Sequence, residues 1–227
     1  MIGTIFIMLL APITIAIGLL FLKNAYLTFL LYQGIYCVGI PIVDLVFIKK
    51  LKWNKIKTKI GLNVDMNSIL FGFLYGALFF SAIMLFFIFL GNAIIDKGEI
   101  SRLLQTWHID KNQLFLFLFI MTFANSILEE CFWRGYIIER MRSHTNIKII
   151  LIISAAFYAS YHFITTINLF NLKIGLLFTT SIFIAGIFWG IIKEKCQSIM
   201  APLISHFMAD LAIMIIYLIY IHKLIDS

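Results

Sequence analysis

Apolar stretches alternate with short polar segments along the whole chain, at about 2–22, 25–48, 67–94, 112–139, 147–167, 174–192 and 199–222. Most reach the roughly 20 residues that an α-helix needs to cross a hydrocarbon core. The pattern predicts an all-α, polytopic membrane helical bundle of about seven transmembrane helices, bracketed by six and eight, forming a single integral membrane domain over 1–227. The first stretch begins at Met1, with no polar region before it and no small-residue cleavage site after it, and is read as a retained helix. Removal of that stretch as a leader would leave six. Pro12, Pro41 and Pro202 mark kinks or helix starts. Gly72 and Gly76 form a G-x-x-x-G that lets two helices approach closely, more simply within the fold than between subunits.

Composition strengthens the membrane assignment. Hydrophobic residues make up 62% of the chain and charged residues 13%, with a mean hydropathy of +1.01, far beyond an ordinary soluble domain. The net charge of +7 follows topology. With the N-terminus cytoplasmic, the inside loops hold the lysines of KKLKWNKIKTK (49–59), then Arg140, Arg142 and Lys148, then Lys193 and Lys195. The opposite side holds the smaller set Lys23, Lys97, Arg102, Lys111, Lys173 and Lys223. The lysine run suits anionic headgroups, and no nucleic-acid-binding motif accompanies it, so nucleic acid is excluded as a partner. Cys37 and Cys131 fall inside apolar stretches and Cys196 in a short loop, and an odd number of three implies no disulfide framework.

The chemistry-bearing residues lie inside the apolar stretches. In SILEECFWRGYIIERM, Glu129, Glu130 and Arg134 sit where each charge costs roughly 2.5–3.5 kcal/mol to insert, so they must face the protein interior and find partners. Glu130 and Arg134 are i, i+4 neighbours and read as a structural clamp. Glu129 points about 100° away, on a stripe with Asn125 and Trp133, and is left for chemistry. His162 follows Tyr158 by one turn in the fifth stretch, and His206 and Asp210 share a face in the seventh. At about 1.5 Å per residue, Glu129, His162 and His206 lie roughly 16, 21 and 12 Å deep, near the middle of a core about 30 Å thick. One shared cavity is compatible with those depths. Two other readings use the same residues, a structural ion pair or the proton relay of a transporter, and Asp44 near Pro41 is a further intramembrane acid that a transporter would use. His108, His144 and His222, in loops or near a helix end, are assigned no role.

The order E-E-x-x-x-R, aromatic-x-x-x-H and H-x-x-x-D in three polar-bearing membrane segments resembles the CAAX protease and bacteriocin-processing (CPBP, or ABI) family of intramembrane proteases, over a core at 112–215. Tyr158 stands where that family usually has Phe, and Asp210 where many members have Asn. The resemblance implies peptide-bond hydrolysis in which Glu129 with His162 activates a water, while His206 and Asp210 stabilise the oxyanion and Glu130 and Arg134 give structural support. An ionised Asp210 cannot donate to an oxyanion, so it is either protonated or, in the preferred reading, accepts from His206 and orients it. Glu129, His162 and His206 also match the donor types of a three-ligand zinc site, yet no H-E-x-x-H is present, and the preferred reading requires no cofactor. There is no G-x-S-x-G and no G-x-G-D for other intramembrane protease chemistries.

The expected function is an intramembrane endopeptidase acting on a membrane-associated peptide or protein, in peptide-signal maturation, bacteriocin immunity or CAAX-type processing. The alternatives are a proton-coupled transporter and a non-catalytic membrane immunity protein. A short chain rich in Ile, Phe, Lys and Asn suggests a bacterial plasma membrane.

Overall fold

The computed structural model describes residues 1–222, so Lys223 of the topology argument lies outside the described residues. Seven long apolar helices account for most of the chain: α1 Ile2–Phe21, α2 Ala25–Ile48, α4 Met66–Ile94, α6 Leu114–Met141, α7 Ile147–Leu169, α8 Leu172–Cys196 and α9 Met200–Tyr220. Two short amphipathic helices join them, α3 Trp53–Ile60 between α2 and α4 and α5 Lys97–Thr106 between α4 and α6. Among the described residues there are no strands. The chain is therefore an all-α polytopic bundle and an integral membrane protein. It wears Phe, Leu and Ile on its outside, Phe21, Phe73, Phe89 and Phe115 among them, as a lipid-facing surface requires.

Local chemistry explains where several helices begin. Asn24, Asp65, Asp96, Asn146 and Asn171 each precede a helix and accept a hydrogen bond from a backbone N–H of its first turn. In α1, α2 and α6 parts of the helix are widened, with N–H groups bonding five residues back, as Lys49 does to Asp44 at 2.9 Å.

Three packing relations position the interior. α4 lies along α9, where a Cβ on Gly72 would stand 2.8 Å from Ile204 Cβ and one on Gly76 2.5 Å from Met208 Sδ. The G-x-x-x-G thus serves an intramolecular contact. α7 and α8 form a second pair, tight enough that a Cβ on Gly186 would meet Ala155 Cβ at 3.1 Å. α6 runs between these pairs, touching α2, α3, α7, α8 and α9, and its segment Phe132–Ile138 is wholly buried.

At one end of the bundle an ionic belt ties helices together. Asp44 of α2 binds Arg140 of α6 and, at 2.9 Å, Lys49. Asp44 is therefore an interhelical tie rather than the free intramembrane acid expected of a transporter. Lys193 and Cys196, expected in a loop, belong to α8, which runs a turn further than hydropathy alone suggests. Lys193 is buried because Glu139 of α6 and Glu194 neutralise it, and Arg142 reaches the same two acids at 2.7 Å. Hydropathy counts this lysine as loop because it does not see the partners that bury it.

Candidate active site

The middle of α6 changes character at the glutamate pair. An ordinary α-helical turn, Asn125–Glu129, gives way to a widened segment, Glu130–Ile137. Such segments shift side chains off the regular register and are frequent at functional sites. Glu129, Glu130 and Arg134 are all essentially without solvent, at 1%, 0% and 2% exposure. Arg134 Nη1 donates to Glu130 Oε1 at 2.8 Å, as the i, i+4 spacing predicts, and Nη2 reaches the Gly186 carbonyl at 3.4 Å. The guanidinium is held between the rings of Tyr158 at 4.4 Å and Trp189 at 5.2 Å.

His206 is the point where the helices converge. Its Nδ1 lies 2.9 Å from Glu130 Oε1, and its ring stacks on Trp189 at a centroid distance of 4.4 Å. Trp189 is itself fixed by donating Nε1–H to Ser205 Oγ at 3.1 Å. Nε2, by contrast, has only distant neighbours: the Tyr158 hydroxyl at 3.4 Å, Asp210 Oδ2 at 3.5 Å and Glu129 Oε2 at 3.9 Å. One nitrogen is anchored and the other is open toward three oxygens. Glu129 Oε2 is buried with no hydrogen-bond partner in the protein.

This geometry adds to two expectations. Glu130 is more than a clamp for Arg134, because it also holds His206. Asp210 faces His206 at Nε2, at 3.5 Å, and Glu130 adds a shorter contact at the opposite nitrogen, Nδ1, at 2.9 Å. A regular 3.6-residue register separates adjacent glutamates by about 100° and so hides that both reach one imidazole on a facing helix. Tyr158, in the position where the resembled family usually has Phe, brings a hydroxyl to His206 that Phe lacks.

His162 stands slightly apart. Its ring packs on Tyr161 at 4.3 Å and Tyr158 at 4.9 Å, and its Nε2 is buried without a partner. Tyr158 thus lies against both His162 and His206. Trp133, expected beside Glu129, donates Nε1–H to Tyr32 of α2 at 3.1 Å and stacks on Tyr161.

Sequence reasoning missed Trp189, which stacks on His206, and one polar member of the site. Gln33 of α2, 5% exposed, donates from Nε2 to Asn125 Oδ1 at 2.7 Å, and Asn125 Nδ2 donates to Asp210 Oδ2 at 3.1 Å. The chain Gln33, Asn125, Asp210, His206 therefore crosses from α2 through α6 to α9. The available signal was a lone uncharged amide inside the apolar run LLYQGIYCVG.

Among the described residues no group of three or more His, Cys, Asp or Glu side chains is arranged to hold a metal ion. His206 faces carboxylates on both nitrogens, the surroundings of an ion-paired imidazole, and the His162 ring packs on Tyr158 and Tyr161. Glu129, His162 and His206 do not fit the zinc arrangement in this geometry.

Residues 111–212 match the family described as "Rce1-like: Type II CAAX prenyl endopeptidase Rce1-like", a little under half of the chain and nearly the span of the three motifs. No curated protein and no solved structure matches the chain. The matched segment contains Glu129, Glu130, Arg134, His162, His206 and Asp210, whereas Tyr32 and Gln33 come from outside it.

Proposed function

We propose that the chain, which matches the Rce1-like CAAX endopeptidase family over residues 111–212, is an intramembrane endopeptidase of that CAAX protease (CPBP) kind, cleaving a membrane-associated peptide or protein by a Glu129-activated water. The observation that carries this reading is the unpartnered Glu129 Oε2, set 3.9 Å from the open Nε2 of His206 in a site assembled from α6, α7 and α9.

The steps follow from those positions. Glu129 accepts a proton from water, and the resulting hydroxide attacks the scissile carbonyl carbon. The carbonyl π electrons move to oxygen, and His206 Nε2–H donates to that oxyanion. A neutral imidazole donates from one nitrogen only; with a carboxylate facing each nitrogen, His206 works as the imidazolium, which supports its role as donor. Collapse of the tetrahedral adduct breaks the C–N bond, and Glu129 returns its proton to the leaving amine. His162 Nε2 is buried without a protein partner, and its assigned part, that of helping Glu129 activate the water, comes from the family motif it fills. Glu130 and Arg134 act as positioning residues through His206, and Asp210, steadied by Asn125, keeps the Nε2 side polar. No step is routed through a metal.

The same reading carries a cytoplasmic N-terminus, from the excess of basic residues in the loops on that side. The transporter alternative loses support from Asp44, which is occupied by Lys49 and Arg140. The test compares membrane and secreted peptides from cells carrying the native chain, Glu129→Gln or His162→Ala at matched protein levels. Mass spectrometry is expected to show one cleavage product lost and its precursor accumulated in both variants. An unchanged peptide set alongside a phenotype that depends on Glu129 would sink the peptidase reading.

A further inference from the structure

The segment between α2 and α4 carries Lys49, Lys50, Lys52, Lys55, Lys57 and Lys59, all exposed, and no acid between Asp44 and Asp65. Among the described residues only Lys49 of these six has an acidic partner. α3 is amphipathic: its lysines face outward, Trp53 is 60% exposed with Lys57 5.7 Å from its ring, and Ile56 and Ile60 are buried. An unneutralised cationic helix with an exposed indole, joined at both ends to membrane-spanning helices, is the arrangement of an element lying in the headgroup layer.

Its buried edge leads to the site. Gly135, next to Arg134, has no room for a side chain because a Cβ there would stand 3.0 Å from both Cβ and the carbonyl oxygen of Ile60. Gly61 ends α3 at φ 76° and its carbonyl accepts from Ile199 N at 2.9 Å, while Ser198 Oγ donates to the Asn63 carbonyl. The helix thus rests on α6 beside the Glu130–Arg134 pair and also on the start of α9, two turns before His206. Loop charge that served topology alone would need neither contact.

We propose that α3 with its flanking lysines is a binding face for anionic phospholipid headgroups, and that lipid held there fixes the start of α9 against α6 and so sets the alignment of His206 with the glutamate pair. The occupant is a lipid and not a soluble anion, because the lysines flank an exposed tryptophan on an element tethered at the membrane surface. Lipid binding is independent of the peptidase reading; only its effect on cleavage rests on that reading.

The experiment uses the full chain in nanodiscs of phosphatidylcholine or of an equal mixture with phosphatidylglycerol, and follows amide hydrogen exchange at 53–63 and 198–206. Each lysine near an anionic surface strengthens attachment about fivefold. We expect exchange in both segments to be on the order of tenfold slower with phosphatidylglycerol. Replacement of Lys50, Lys52, Lys55, Lys57 and Lys59 by Gln should abolish the difference, and replacement by Arg should keep it. Because these side chains are exposed, the variants are expected to fold, and native exchange elsewhere in the bundle checks this. Equal exchange in the two lipids, or an unaltered difference in the Gln variant, overturns the proposal. Equal slowing by glycerol phosphate added to phosphatidylcholine discs overturns the lipid assignment in favour of a soluble anion. Slowing at 53–63 alone overturns the coupling to α9. If exchange responds as expected and no peptide is ever cleaved, the peptidase reading fails and the lipid face stands.

Discussion

Glu130 and Arg134 permit a prediction whose size follows from burial. Both are almost entirely without solvent, their N–O distance is 2.8 Å, and Arg134 has two further supports, the Gly186 carbonyl and the paired rings of Tyr158 and Trp189. Removing one partner of such a pair leaves an uncompensated buried charge and costs about 3–5 kcal/mol. The two single substitutions should differ. In Arg134→Met the remaining carboxylate keeps His206 at 2.9 Å, so the cost falls near the lower figure. In Glu130→Gln the guanidinium keeps a neutral amide oxygen, the distant carbonyl and two rings but no anionic partner, so the cost lies nearer the upper one. For a chain of this size, about 2–4 °C of melting temperature per kcal/mol gives losses of roughly 6–20 °C. The double substitution, which removes both charges, should melt above Glu130→Gln alone. The assay is thermal unfolding of purified protein in a single detergent, followed by tryptophan fluorescence. Single variants melting within about 2 °C of the native protein would refute the reasoning, because a charge left in that interior cannot be that inexpensive. A double variant less stable than both singles would refute the pairing.

Further outcomes test the site and its frame. Gln33→Ala removes the donor to Asn125; with about 1–1.5 kcal/mol at stake it should lower kcat about tenfold at unchanged KM, and unchanged kcat would remove Gln33 from the site. Asp210→Asn, which retains an acceptor for Asn125, should keep more cleavage than Asp210→Ala, and equal losses would count against a polar role at that position. Gly72→Leu and Gly76→Leu should each cost about 1–3 kcal/mol by forcing α4 from α9, seen as lower melting temperature; normal melting would mean the helices part freely there. Tyr158→Phe, which removes the hydroxyl facing His206 Nε2 and keeps the ring over Arg134, should retain the native melting temperature while changing kcat, and an unchanged kcat would reduce Tyr158 to packing.

The helices were legible because a hydrocarbon core imposes a length and an apolarity that a one-dimensional pattern records, and the helices observed agree closely with the apolar stretches. The polar residues of α6, α7 and α9 were legible for the complementary reason: charge inside an apolar run is too costly to be accidental. What escaped depends on partners contributed by distant segments. Lys193 reads as loop until Glu139 and Glu194 are placed beside it, and Asp44 reads as a free acid until Arg140 arrives from α6. Gln33 is the instructive case, because an uncharged amide costs less to bury than a carboxylate and therefore stands out less, while its use depends on Asn125, 92 residues away. The spacing already separated the tasks of Glu129 and Glu130; what escaped, for a geometric reason, is that both tasks meet at His206. A widened helical segment cannot be read from residue types, yet its placement lets Glu130 anchor Nδ1 of the imidazole that Glu129 approaches from the Nε2 side. Adjacent residues can then perform separate tasks on one histidine, and this explains why exchanging Glu129 and Glu130 for their amides should give different failures: Glu129→Gln a folded protein without cleavage, Glu130→Gln a protein whose fold and histidine are both loosened.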